Sequence, residues 1–137
     1  MPLKGKINSH SSEETFQAGV HFAKSLEGSE VVAFFGDLGS GKTTFLKGMI
    51  STLANCKPDE ITSPTFTYLH IYEGPVFHFD LYRLSSPKQF GEFSEYLQGK
   101  GVCCIEWAEK IQELLPPNTI RISIEYLGEN SRSIHIL

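Results

Sequence analysis

The sequence predicts a single-domain α/β fold, with a mixed, mostly parallel central sheet flanked by helices and carrying antiparallel hairpins. Three observations support this. Two short runs, Val31 to Phe35 and Val102 to Glu106, are almost wholly apolar, as strands buried on both faces are. A glycine-rich segment follows the first run and leads into a helical stretch, the strand–turn–helix order of α/β units. The length, 137 residues, suits one domain and is too short for two.

Along the chain, Ser11-Ser12-Glu13-Glu14 has the pattern of a capping box, with Ser11 as N-cap and Glu14 three residues on. Phe16, Val20, Phe22, Ala23 and Leu26 then recur at helical spacing, and Gly28 is expected to end that helix. After the strand Val31 to Phe35, a second helix is expected from about Lys42 to Ala54. Asn55 to Pro64 reads as irregular. Thr65 to Tyr72 is rich in Thr, Tyr, Phe and Ile and predicts a strand. Glu73-Gly74-Pro75 is a turn, and Val76 to Leu81 is a second strand that closes an antiparallel hairpin.

Ser85 to Leu97 is expected to be helical, with Pro87 in its first turn and Gly91 as a weak point. Ala108 to Leu115 predicts a short helix stopped by Pro116-Pro117. Ile120, Ile122 and Ile124 alternate with Arg121, Ser123 and Glu125, the pattern of a half-exposed strand. Gly128-Glu129-Asn130 turns the chain into a last strand, Ser131 to Leu137. No repeat, linker or low-complexity segment interrupts this order.

Composition narrows the function. The net charge of −4 argues against a primary nucleic-acid binder, which would present a basic face, but leaves open RNA contact inside a larger complex. No apolar run approaches the roughly 20 residues of a membrane span. Met1 to His10 lacks the apolar core of a secretory signal, so a cytoplasmic protein with no membrane contact is expected. Cys56, Cys103 and Cys104 show no C-x-x-C or zinc spacing, and the adjacent pair reads as buried, reduced thiols in a strand.

The strongest signal is Gly36-Asp37-Leu38-Gly39-Ser40-Gly41-Lys42-Thr43, which fits the P-loop pattern G-x-x-x-x-G-K-[ST] without departure. Glycines let successive N–H groups point into one concavity, and the positive end of the following helix faces the same place. Lys42 would reach the β- and γ-phosphates, and the Thr43 hydroxyl would bind Mg²⁺. A tight turn built for packing would explain Gly36 and Gly41 but not a Lys-Thr pair at this offset. The expected ligand is ATP or ADP with Mg²⁺, and the fold expected is that of a P-loop NTPase.

A P-loop needs a carboxylate to hold the metal or position water. Asp80 ends one apolar strand and Glu106 ends another, and ligands of such sheets lie beyond the carboxyl ends of the strands. Taken singly, each acid also fits a strand end leaving for solvent or a cap for the next helix. Trp107, the only tryptophan, fits a nucleotide-capping role and a packing role equally well. Ile61 to Phe66 sits where some NTPases carry a loop that senses the γ-phosphate, although a Ser-Pro turn opening a strand explains it more simply.

Four segments in order, Gly36 to Thr44, Thr62-Ser63-Pro64-Thr65-Phe66, His78-Phe79-Asp80-Leu81-Tyr82-Arg83 and Ile105-Glu106-Trp107-Ala108-Glu109-Lys110, resemble the TsaE (YjeE) family of small bacterial P-loop ATPases. The His-x-Asp-Leu-Tyr-Arg and Glu-Trp segments are far more specific than the P-loop, and the resemblance covers nearly the whole chain. It implies a role in making threonylcarbamoyladenosine on tRNA. In that family TsaE binds the TsaB–TsaD heterodimer, and its ATP hydrolysis supports repeated turnover by TsaD; tRNA is met only through the complex.

Carried over by residue, the resemblance puts phosphate contacts on Asp37, Leu38, Gly39, Ser40, Gly41, Lys42, Thr43 and Thr44. It puts Mg²⁺ on Thr43 and Glu106, a nucleotide-proximal or partner-facing role on Trp107, and catalysis on Asp80 with Lys42. Thr62 to Phe66 would be the family's switch I, and a looser match extends to the N-terminal segment and Arg132. Two other functions fit the P-loop, a small-molecule kinase and a nucleotide-gated binding module without turnover. Three scattered arginines make a poor kinase lid, and the guanine-reading Asn-Lys-x-Asp motif of GTPases is absent.

Overall fold

A computed structural model of the chain describes residues 3–36, 41–64 and 66–137. The strands are β1 (Gly5–Ser9), β2 (Val31–Phe35), β3 (Leu69–Tyr72), β4 (Val76–Asp80), β5 (Val102–Glu106), β6 (Ile120–Tyr126) and β7 (Arg132–Ile136). The α-helices are α1 (Ser12–Lys24) and α2 (Lys42–Ala54). Tight 3₁₀ turns occupy Pro58–Glu60, Pro87–Leu97 and Ala108–Leu114. All seven strands join one sheet in the order β1-β7-β6-β2-β5-β4-β3.

The four central strands β6, β2, β5 and β4 run parallel. Antiparallel partners extend them on both sides, β3 on β4, β7 on β6 and β1 on β7. This is the mixed α/β sheet that the two apolar runs predict. β2 shows why its sequence is apolar throughout. Val32 and Phe34 face one core with α1 and α2, while Val31 and Ala33 face a second core under the 3₁₀ segments.

Local chemistry sets the ends of α1. The Ser11 hydroxyl accepts from the Glu14 N–H at 3.0 Å. The Glu14 carboxylate reaches back to the N–H of His10, one residue further than a capping box requires, at 2.8 Å. Ser11→Ala is expected to cost about 1 kcal/mol of stability, read as a lower urea midpoint at unchanged slope.

The helix ends at Lys24, earlier than Gly28. Ser25 stops it by turning its own hydroxyl onto the Phe22 carbonyl at 2.6 Å. Gly28 instead lies in the turn to β2, where the Glu30 carboxylate accepts from the N–H groups of Glu27, Gly28 and Ser29.

Three further elements differ from expectation. The strand expected from Thr65 begins only at Leu69, because Tyr68 takes left-handed backbone (φ 66°) and its N–H bonds the Pro64 carbonyl at 2.9 Å, closing a turn first; Thr65 lies outside the described residues. Pro87–Leu97 is coiled as 3₁₀ turns. Its aromatic residues recur every third position, and in a 3₁₀ turn positions i and i+3 eclipse. Phe90, Phe93 and Tyr96 therefore stack together on Phe79, with ring centroids 5.2, 5.6 and 5.9 Å away. Finally, β1 was not expected at all. Gly5–Ser9 has one apolar residue, Ile7, and owes its extended state to pairing with β7.

α1 and α2 lie on one face of the sheet and touch at glycines. A Cβ at Gly48 would collide with the Phe16 carbonyl oxygen, and one at Gly19 with the Phe45 carbonyl oxygen. This close approach anchors α2, whose N-terminus opens onto the candidate site.

Candidate functional site

The site forms where three parallel strands end. β2 ends at Phe35, ahead of the start of α2, β4 ends on Asp80 and β5 ends on Glu106. In register, Asp80 pairs with Glu106, and Glu106 also pairs with Phe34 on its other side. The two acids are therefore neighbours across adjacent strands, at the carboxyl edge where ligands of such sheets bind.

Between them and the start of α2 lies a cavity of about 430 Å³. Its walls include Gly41, Lys42, Thr43 and Thr44 from α2, the two acids, Trp107, and also Ser63, Tyr82 and Arg132. Asp37, Leu38, Gly39 and Ser40 lie outside the described residues. The structure thus brings together every predicted site residue that it describes.

Lys42 is nearly buried, at 6% exposure. Its ammonium donates to the Gly36 carbonyl at 2.9 Å and lies 4.8 Å above the Trp107 ring. Burying an ammonium is costly unless it is paired, and one carbonyl and one π-face satisfy it only in part. An anionic ligand would complete it. Gly41 precedes it with φ 108°, a left-handed backbone open to glycine, and a Cβ there would press on the Arg132 guanidinium.

Asp80 is held from two sides. One oxygen accepts from the Ser63 hydroxyl at 2.7 Å, the other from the Tyr82 N–H at 3.0 Å. Ser63 belongs to the loop after Ile61, so this bond ties that loop to the strand end. Thr62 is also tethered, its carbonyl oxygen lying 3.1 Å from the His70 ring. Glu106 lies 2.8 Å from the Nε2 of His78, a buried contact between β5 and β4.

Trp107 sits in left-handed backbone (φ 59°, ψ 40°), where a large side chain is strained. Its ring stacks on Tyr82, centroids 5.0 Å apart, at the cavity wall. The half-buried indole lines the cavity and also packs against the second core.

Sequence reasoning did not single out Ser63, Tyr82 or His78 as site residues in their own right. His78 and Asp80 alternate along β4, so period-two spacing was the available signal. Arg132 joins the site from β7, far in sequence. Its Nη1 donates to the carbonyls of Gly128 and Ser131, and its guanidinium lies 4.6 Å from the Tyr126 ring.

The donor set suits a hard cation. Thr43 offers a hydroxyl, and Asp80 and Glu106 offer carboxylates, the oxygen ligands Mg²⁺ prefers when phosphate oxygens and water supply the rest. Thiol chemistry has no place here. Burial pushes the Cys103 and Cys104 thiols up, keeping both protonated and unreactive.

A buried parallel strand followed by a helix that opens at Gly41, Lys42 and Thr43 onto acids at neighbouring strand ends defines an α/β protein of the P-loop type. The family model described as threonylcarbamoyl adenosine biosynthesis protein TsaE matches residues 9–134. The chain is 39% identical over 132 residues to the tRNA threonylcarbamoyladenosine biosynthesis protein TsaE of Treponema pallidum (strain Nichols), covering 93% of this chain and 96% of that one. It is 37% identical over 139 residues to the protein of the same name from Aquifex aeolicus (strain VF5), covering 99% and 98%. Among solved structures, the crystal structure of Bacillus subtilis YdiB superposes with a TM-score of 0.76 at 34% identity, over 99% of this chain and 86% of that one. The chain belongs to the TsaE family. No helix among the described residues is long and apolar enough to cross a membrane.

Proposed function

We propose that the chain is a Mg²⁺-dependent ATPase of the cytoplasm that acts in tRNA threonylcarbamoyladenosine biosynthesis by binding the TsaB–TsaD complex and supporting its turnover. The observation that carries this reading is the single cavity that gathers Lys42, Thr43, Asp80 and Glu106 at the strand ends. The names of its relatives supply the pathway.

Within that cavity the roles follow from chemistry. Lys42 exchanges its carbonyl contact for phosphate oxygens and neutralises their charge. Thr43 and Glu106 would hold Mg²⁺, which when bound offsets charge on the phosphates. Asp80, fixed by Ser63 and Tyr82, accepts a hydrogen bond from the attacking water and orients it. Trp107 and Tyr82 form an aromatic wall on one side of the cavity.

Turnover by the isolated chain is slow on this reading. Arg83 lies over Phe66 and Arg121 over Phe35, while Arg132 reaches the cavity with its Nη1 committed to two carbonyls. None is poised as an arginine finger, an element that raises rates by about 10³–10⁵ where it exists. A partner that rearranges the Ser63 loop or supplies a cation would accelerate the reaction. ATP hydrolysis measured with and without purified TsaB–TsaD is expected to rise at least about tenfold with the partner, roughly 1.4 kcal/mol of barrier. A rate indifferent to the complex would remove the partner from the reading. Phosphorylation of a metabolite in place of water would turn it toward a kinase.

A further inference from the structure

The geometry points to His78 as the positioning residue that orients Glu106 toward the bound cation. This rests on reading the cavity as a Mg²⁺–nucleotide site. His78 sits on β4 two residues before Asp80, so period-two spacing puts Val76, His78 and Asp80 on one face, the face covered by α2. Val102, Cys104 and Glu106 occupy the same face of β5. The layer is otherwise apolar here: Val76, Val102 and Cys104 belong to the core cluster beneath α2.

An imidazole in such a layer costs free energy unless it finds a partner. His78 is only 2% exposed, and a side chain of similar size without nitrogen would pack there without that cost. Its one hydrogen bond among the described residues is to Glu106, Nε2 to Oε2 at 2.8 Å. Its other ring nitrogen, Nδ1, is buried without a partner among those residues. A buried N–H without an acceptor is expensive, so the proton belongs on Nε2, where it is donated to Glu106, and Nδ1 carries only its lone pair.

This arrangement has a specific use. A ring nitrogen that donates one bond to Oε2 pins that carboxylate oxygen and leaves the other oxygen for a cation. A lysine or arginine at that place would pair with the charge and compete with a cation. The pair also borders a void of about 20 Å³ between Thr43, Ile61, Thr62 and Ser63, directly beside the hydroxyl expected to share the metal. Hydrogen-bond partners of this kind orient metal-binding carboxylates, and losing one costs about 10–100-fold in metal affinity.

The test uses the full chain and a fluorescent ADP analogue, titrated with Mg²⁺ or held in EDTA, with thermal melting as a check on folding. In His78→Met the Mg²⁺ concentration needed for half-maximal enhancement of binding is expected to rise about 10–100-fold. Affinity in EDTA is expected to stay at the wild-type value, and His78→Gln, which keeps an N–H donor, is expected to recover most of the Mg²⁺ effect. Equal losses with and without Mg²⁺, or no change in either, would overturn the inference.

A second measurement needs no variant. The ring N–H signal of His78 in ¹⁵N spectra is expected on Nε2 and is expected to move when Mg²⁺ is added to the nucleotide-bound chain; a proton on Nδ1, or a signal indifferent to Mg²⁺, overturns it. Wild-type binding indifferent to Mg²⁺ would sink the reading of the site itself. A wild-type Mg²⁺ effect that Glu106→Gln abolishes and both His78 variants keep would sink only the role of His78.

Discussion

Lys42→Ala is expected to abolish ATP hydrolysis, with a loss of at least about 100-fold, or roughly 2.7 kcal/mol of transition-state stabilisation. The basis is the placement of this ammonium. It is nearly buried at the first turn of α2, bonded to Gly36 and set over Trp107, with the cavity in front of it. In phosphoryl transfer the protein contributes mainly position and charge, so removing the one lysine of the cradle removes a large share of both. Nucleotide affinity should fall with the rate, because the charge acts on the ground state as well.

Stability is expected to hold or to rise slightly, since removing a buried cation with incomplete partners relieves the cost of burying it. Hydrolysis and analogue binding, measured beside a melting curve, check all three expectations. An alanine variant that turns over at the wild-type rate would mean that the cavity is not the site of hydrolysis.

The second large effect concerns the fold. Gly48→Ala is expected to cost about 2–3 kcal/mol, although alanine by itself would favour the helix by about 1 kcal/mol over glycine. The new methyl would meet the Phe16 carbonyl of α1, and a backbone atom inside a packed helix pair cannot swing aside as a side-chain tip can. α1 and α2 must then separate, which loosens the layer of Phe22, Phe45 and Met49 between them and the sheet.

Gly91→Ala is the control, because a Cβ there meets nothing within 4 Å. Urea unfolding of both variants separates the effects. Equal midpoints would show that the two helices can move apart at no cost. Since α2 opens onto the site, loss of helix packing should also weaken nucleotide binding, in proportion to the fraction unfolded.

Much of this was legible in the sequence. The buried strands β2 and β5 appear with their observed ends because continuous apolar runs have one use in an α/β domain. The P-loop pattern, with Lys42 and Thr43 in it, is readable because its residues are consecutive in the chain. Asp80 and Glu106 could be named because each closes an apolar strand, and the capping residue Ser11 because it acts on a residue three positions away.

What depends on distant partners was not legible. β1 is polar and becomes a strand only because β7 offers its edge. Gly19 and Gly48 carry no signal in the sequence, and only the contact of the two helices makes them the condition for it. His78 was readable only as the first residue of the His-x-Asp segment, and it is the register of β4 against β5 that sets it beside Glu106. Trp107 lines the cavity and packs on the core at once, a placement that its left-handed backbone sets and its sequence neighbours do not reveal. The sequence by itself determined the buried strands β2 and β5, the P-loop pattern and the acids at the strand ends, because periodicity and local motifs are written in adjacent residues. Only the tertiary structure decided which side chains share the cavity and which carboxylate is held by which partner, because strand order and helix contact join residues dozens of positions apart.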